Sequence, residues 1–176
     1  KALGSPWVQF NGHTLNLTHR QIEILCILAL HPHGIGLEEL HYALYGERSV
    51  SLKTLKAELS QLRSLLPHSI EARIYRLSCE VQCDFLCAEQ SLNANLISST
   101  FSLYKGSFLS KSESPLLSTW RHCFDARLSQ LIYQIKDTDQ LLRIIGQTHD
   151  RIDAVQRLLE LLPQDSNYRN YFSNLI

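Results

Sequence analysis

The chain has 176 residues, 44% of them hydrophobic, and its 17 Lys+Arg balance 17 Asp+Glu to give no formal net charge. That length holds one good core or two modest ones, and the balance denies the chain the basic excess that usually marks a DNA-binding module. No apolar run approaches the roughly 18 residues a membrane span needs, no signal-peptide pattern opens the chain, and five cysteines, an odd number without the spacing of a secreted disulfide scaffold, point to reduced thiols in a cytoplasm.

The first signal is an alternation. Val8 and Phe10 face one way, Trp7, Gln9 and Asn11 the other, and Thr14–Leu17 alternates again after Asn11-Gly12. Asn-Gly between two such runs predicts a tight β-hairpin. Thr18 is a good N-cap for a helix over HRQIEILCILALH, with Ile22, Leu25, Cys26 and Ala29 on one face and Ile27, Leu28 and Leu30 widening it. A helix that apolar belongs at the centre of a core, and Pro32 and Gly34 end it. His31 and His33 flank that proline, where an imidazole suits the helix dipole.

LEELHYALYG predicts a shorter second helix with Leu37, Leu40 and Leu44 inward, stopped at Gly46. After Glu47–Arg48–Ser49, a third helix is expected from about Ser51 to Leu66. Its stripe is Leu52, Leu55, Leu59, Leu62 and Leu66, spaced as one helical face. Pro67 closes it, and Ile70, Ala72 and Ile74 alternate like the end of a sheet. Hairpin, three helices and a strand, with a tight link between helices two and three, is the order of a helix-turn-helix followed by a wing.

From about Asp84 the character changes. DFLCAEQSL, ANLISSTFSLY, a long stretch from about Pro115 to Lys136, TDQLLRIIGQ, DRIDAVQRLLELL and SNYRNYFSNLI all read as helices separated by short polar breaks. Such lengths suit antiparallel helix pairs. The expected class is therefore an α+β winged helix-turn-helix domain over 1–78, then an all-α, tetratricopeptide-like domain over 79–176, with the boundary near Ser78–Cys83.

Charge is informative only by position. Residues 1–80 contain eight basic and seven acidic side chains. At about 100° per residue, Lys53, Ala57, Gln61 and Ser64 point away from the leucine stripe, and Lys56, Ser60 and Arg63 line one flank. Glu58 falls on the other flank. Cations reach phosphates or guanine edges, Gln pairs with adenine, and small residues allow close approach. Spacing alone leaves two readings open, a groove-binding helix and a solvated face that happens to bear lysines.

Other chemistry is sparse. Cys79, Cys83 and Cys87 recur every fourth residue without the paired spacing of zinc sites, so no metal or cofactor is expected. Cys123 beside His122 points about 100° away from it. With no phosphate loop, paired acids or serine elbow, the chain is not read as an enzyme. Tyr168, Tyr171 and Phe172 have helical spacing and are expected to pack on DAVQRLLELL. The lack of Met and the start at Lys1 suggest a piece of a longer protein.

With these elements placed, residues 1–78 resemble the OmpR-type winged-helix effector domain of bacterial response regulators. The matching residues are Leu17-Thr18 before Glu23-Ile24-Leu25, then Leu37–Glu38–Glu39–Leu40, Leu59 with Leu62-Arg63, and Tyr75–Arg76–Leu77. The second half resembles the bacterial transcriptional activator domain of antibiotic-regulatory activators, through Leu103–Leu109, Trp120-Arg121, and Ala154, Leu158, Glu160–Pro163.

The resemblance implies a transcription factor whose third helix enters the major groove of double-stranded promoter DNA. Lys53, Thr54, Lys56, Ser60 and Gln61 would face DNA, with Arg48, Arg63, Arg73 or Arg76 as backbone contacts. It further implies direct-repeat sites bound by a homodimer, and RNA polymerase or an upstream sensor domain of the same chain as protein partners. Two departures are visible. Glu71, Ala72 and Ile74 stand where the family's wing commonly has a basic residue and glycines, and the helical module is short. The alternative is a protein-interaction module on a winged-helix scaffold with little DNA affinity.

Overall fold

Asn11 and Gly12 both adopt positive φ, 48° and 81°, the backbone that a two-residue hairpin turn requires and that this residue pair tolerates best. In the computed structural model, which describes residues 1–148, 150–164, 166, 169, 171 and 172, they join β1 (Val8–Phe10) to β2 (His13–Leu15). Val8 pairs with Leu15 and Phe10 with His13, antiparallel. Val8, Phe10 and Leu15 lean on the core while Trp7 and Gln9 face solvent, as the alternation predicts.

α1 (His19–Leu30) starts on a full capping box. Thr18 Oγ1 accepts from the Gln21 amide at 3.2 Å, and Gln21 Oε1 accepts from the Thr18 amide at 3.0 Å. Ile24, Ile27 and Leu28 are buried most deeply, and Ile22 and Cys26 are buried on the adjoining face. The helix is covered nearly all round. At its end the His31 ring donates through Nδ1 to the Ile27 carbonyl at 2.7 Å, satisfying one of the carbonyls a helix terminus leaves open.

α2 (Leu37–Tyr45) buries Leu40 and Leu44 completely and ends at Gly46. Five residues later Ser51 caps α3 (Leu52–Leu65), accepting from the Thr54 amide at 3.3 Å. Leu55, Leu59, Leu62 and Leu66 form its buried stripe. Leu52 departs from expectation, because it lies a turn before Leu55 at the open end of the helix and is 38% exposed. The expected strand is also reduced. Ile70 and Leu77 form one antiparallel bridge and Ile35 and Tyr75 another, so the 70–77 loop is held at its base. Ile70 is buried, but Ala72 and Ile74 are exposed on the loop's tip, where no strand among the described residues faces them to hide alternate residues.

After an irregular stretch over 78–83 come α4 (Asp84–Asn93), α5 (Ile97–Leu103), α6 (Pro115–Gln134), α7 (Thr138–Gln147) and α8 (Ile152–Leu161). Among the described residues the fold is thus mostly helical, eight helices with one small antiparallel hairpin near the N-terminus. No described helix is long and apolar enough to cross a membrane. α4 pairs with α5 and α7 with α8, while the long α6 touches α1, α2, α4 and α8. The motif residues of this half build an aromatic cluster. Trp120 stacks on Phe124 with centroids 4.9 Å apart and meets Phe108 at 4.5 Å and Phe85 at 5.3 Å.

Buried apolar side chains of both halves form one continuous core. The first residues reinforce this, because Leu3 bridges Phe108 and the Asp84 carboxylate accepts from the Ala2 and Leu3 amides at 2.7 and 3.1 Å. Beyond α8, Arg169 donates to the Leu159 and Leu162 carbonyls, both at 3.0 Å. Phe172 is buried and Tyr171 exposed. Tyr168 and much of the expected last helix lie outside the described residues.

Candidate nucleic-acid interface

α3 is amphipathic in the simplest way. Its leucine stripe faces α1 and α2, and the opposite side exposes Lys53, Thr54, Lys56, Ala57, Ser60, Gln61, Arg63 and Ser64. Glu58 is the helix's sole carboxylate and is turned aside. Its Oε2 is buried without a hydrogen-bond partner among the described residues. Its charge is felt at Tyr45, whose phenol burial pushes up in pKa against the opposing pull of Arg20, with Glu58 adding to the rise. The solvent face of α3 is therefore cationic with no carboxylate on it.

The six expected contacts on α3 share that face but differ in freedom. Among the described residues no ion pair engages Lys53, Lys56 or Arg63. Thr54 Oγ1 lies 3.1 Å from Ser51 Oγ, so its hydroxyl takes part in the helix cap. Gln61 Oε1 accepts from Gln21 Nε2 at 3.4 Å, a long bond that leaves its own amide donors free. Ser60 is exposed, and its carbonyl takes the Ser64 hydroxyl at 3.1 Å.

The remaining three arginines are placed differently. Arg73 stands exposed at the tip of the 70–77 loop with no ion pair among the described residues. Arg76 is tied to Glu71 at 2.8 Å. That bond holds the Glu71 carboxyl below the usual carboxylate range and the Arg76 guanidinium above its ordinary value. The acid that reads from sequence as repelling phosphate is neutralised locally, and it neutralises a candidate contact in turn. Arg48 is exposed but committed, donating to the Tyr45, Leu44 and Glu113 carbonyls and to the Glu113 carboxylate.

Sequence reasoning missed a polar seam between α1, α2 and the loop before α6. Glu23 on α1 is only 1% exposed. Its Oε2 lies 2.7 Å from Arg20 Nη1, and its Oε1 accepts from Ser112 Oγ at 2.5 Å and sits 3.6 Å from His19. The Arg20 guanidinium also stacks 4.6 Å above the Tyr45 ring. Next along, Ser114 donates to the Ala43 carbonyl at 2.7 Å while capping α6. The signal was present in part, as a lone acid inside an apolar helix. Its partner Ser112, 89 residues away, had none.

No protein-family model matches the chain. It is similar to a curated protein of Rhodococcus erythropolis, described as an uncharacterized 47.3 kDa protein in the thcA 5′ region, at 28% identity over 153 residues. The match covers 86% of this chain and 35% of that relative. The chain thus spans about a third of the relative's length.

The thiols gather elsewhere. A cleft of about 470 Å³ opens between the hairpin, α1 and the start of α4, lined in part by Trp7, Phe10, Cys26, Cys83 and Cys87. Burial pushes the Cys26 thiol far up and the Cys83 thiol up to about 11, so neither is a ready nucleophile or ligand. Among the described residues, no group of three or more His, Cys, Asp and Glu side chains could hold a metal ion.

Proposed function

We propose that the chain is a DNA-binding transcriptional regulator, with residues 1–78 acting as a winged helix-turn-helix and residues 79–176 as a tetratricopeptide-like module of the bacterial transcriptional activator kind. One observation above all supports this reading, the carboxylate-free cationic face of α3 opposite a fully buried leucine stripe. A helix so placed presents Lys53, Lys56 and Arg63 to phosphates and Gln61 and Ser60 to base edges. The turn from Gly46 to Ser51 and the bridges Ile35–Tyr75 and Ile70–Leu77 agree with the helix-turn-helix and wing of that fold. On this account Arg73, which has no ion pair among the described residues, is the cation the wing offers DNA, and Arg48 and Arg76 contribute less than sequence alone implies.

The helical module would serve homodimer contacts on direct repeats, or contact with RNA polymerase or a sensor domain of the same chain. The reading calls for no cofactor and no catalytic step, and it places the protein in the cytoplasm. A second reading has its own support. Zero net charge and the Glu71–Arg76 and Arg48–Glu113 pairs favour a protein-interaction module that has kept the scaffold and lost DNA affinity.

Selection from a randomised duplex library separates the two. A DNA-reading α3 enriches a discrete motif, and Gln61→Ala relaxes it at one position. Uniform recovery of the library by the folded chain would leave the interaction module standing.

A further inference from the structure

Three consecutive residues, Ser112, Glu113 and Ser114, each reach a different element of the first half. Ser112 Oγ donates to Glu23 of α1 at 2.5 Å, and Ser114 Oγ donates to the Ala43 carbonyl of α2 at 2.7 Å. Both serines are buried. Between them, Glu113 takes the Arg48 guanidinium twice at 2.8 Å, once on its carboxylate and once on its carbonyl. On its other side Arg48 donates to Tyr45 and Leu44 at 3.1 and 3.3 Å, the last carbonyls of α2.

The contacts continue in both directions. Toward the second half, Arg121 of α6 holds the same loop, donating to the Phe108, Leu109 and Ser112 carbonyls at 3.2, 2.7 and 3.3 Å. Toward α3, the Arg48 carbonyl accepts from the Val50 amide at 2.7 Å, and the Val50 carbonyl accepts from the His41 ring at 2.7 Å. Ser51 then caps the helix. Polar contacts, joined through the chain at Ser112–Glu113 and Val50–Ser51, thus connect α6 to the first turn of α3.

The inner and outer prongs differ in kind. Ser112 and Ser114 are sealed from water and hold the halves together. Arg48 and Glu113 are 42% and 81% exposed, so their ion pair adds little stability. What Arg48 supplies is geometry, because a planar guanidinium serves three carbonyls on two elements at once and a lysine cannot. We infer that Arg48 is a positioning residue. It ties the α2–α3 turn to Glu113 and thereby aims α3, so that the helical half acts on DNA affinity through this turn. The inference rests on the DNA reading of α3.

A phosphate contact and a positioning residue respond oppositely to two mild substitutions at this exposed pair. Arg48→Lys keeps the charge but loses the fork, and it should weaken duplex binding about five- to tenfold with the salt slope unchanged. Glu113→Gln should weaken binding by about twofold, and the double variant should be no weaker than Arg48→Lys alone, because the two act as one unit. Without DNA, the backbone amide resonances of Val50 to Thr54 should shift in both variants.

Tighter binding by Glu113→Gln, or wild-type affinity in Arg48→Lys, would make Arg48 a phosphate contact and overturn the inference. Intact DNA binding with silent Val50–Thr54 amides would overturn the coupling alone. A wild-type chain that binds no duplex would overturn the DNA reading, and the positioning role with it.

Discussion

Removing the Glu23 carboxylate tests the seam that joins the two halves. The group is buried, with Arg20 at 2.7 Å on one oxygen and the Ser112 hydroxyl at 2.5 Å on the other. Glu23→Ala takes away a charge-assisted hydrogen bond worth about 1.5–3 kcal/mol and strands a guanidinium. Breaking a fully buried pair from one side costs about 3–5 kcal/mol. Arg20 retains 28% side-chain exposure and the Tyr45 ring face, which places the expected loss near the bottom of that range, about 3 kcal/mol. Glu23→Gln keeps the volume and an acceptor for Ser112, and should cost about 1–2 kcal/mol. Urea unfolding followed by circular dichroism measures both as shifts in midpoint at constant slope. If Glu23→Ala stays within about 0.5 kcal/mol of wild type, the range of an ordinary surface change, the seam does not hold the halves together.

Gly34 has φ +94°, and a Cβ there would lie 2.2 Å from Ile74 Cγ2. Gly34→Ala should therefore destabilise by about 2 kcal/mol or more, and adding Ile74→Ala should recover the steric part but not the backbone part, as read by thermal melts. The thiols should label in a fixed order at pH 8. Exposed Cys79, Cys87 and Cys123 come first. Cys83, with its pKa near 11, holds only about a thousandth of its thiolate form at that pH and should lag, and Cys26 should stay protected until unfolding. Because the folded Cys83 keeps its proton longer than the unfolded thiol, its contribution is whole below the unfolded value near 9 and is lost as pH rises toward about 11. A Cys83→Ser variant should lose less stability than wild type over that window.

Local signals proved the most legible. Asn11-Gly12, the Thr18 cap, Gly46 and the leucine spacing of α3 each act within a few residues, and each element appears where its own sequence demands. α6 and α7 likewise begin at Pro115 and Thr138, where their sequences were read to start, and Ser114 and Asp137 cap them. Long-range pairing was not legible. The alternation Ile70–Ala72–Ile74 implied a strand, but only a partner could make it one, and Ile35 and Leu77 supply single bridges instead. Arg48 and Arg76 read as free cations because their acids, Glu113 and Glu71, cannot be assigned from spacing. The cationic face of α3 was legible for the opposite reason, since helical geometry alone decides which side chains share it.

The most direct test of the account is binding of the chain to its selected duplex across a salt series, for wild type and for Lys53→Ala with Lys56→Ala. Each phosphate contact contributes about 0.9 to the slope of log affinity against log salt. The account predicts a steep salt dependence for wild type and a slope shallower by about one to two units in the double variant. Binding that ignores salt, or identical slopes from two equally folded proteins, would contradict it.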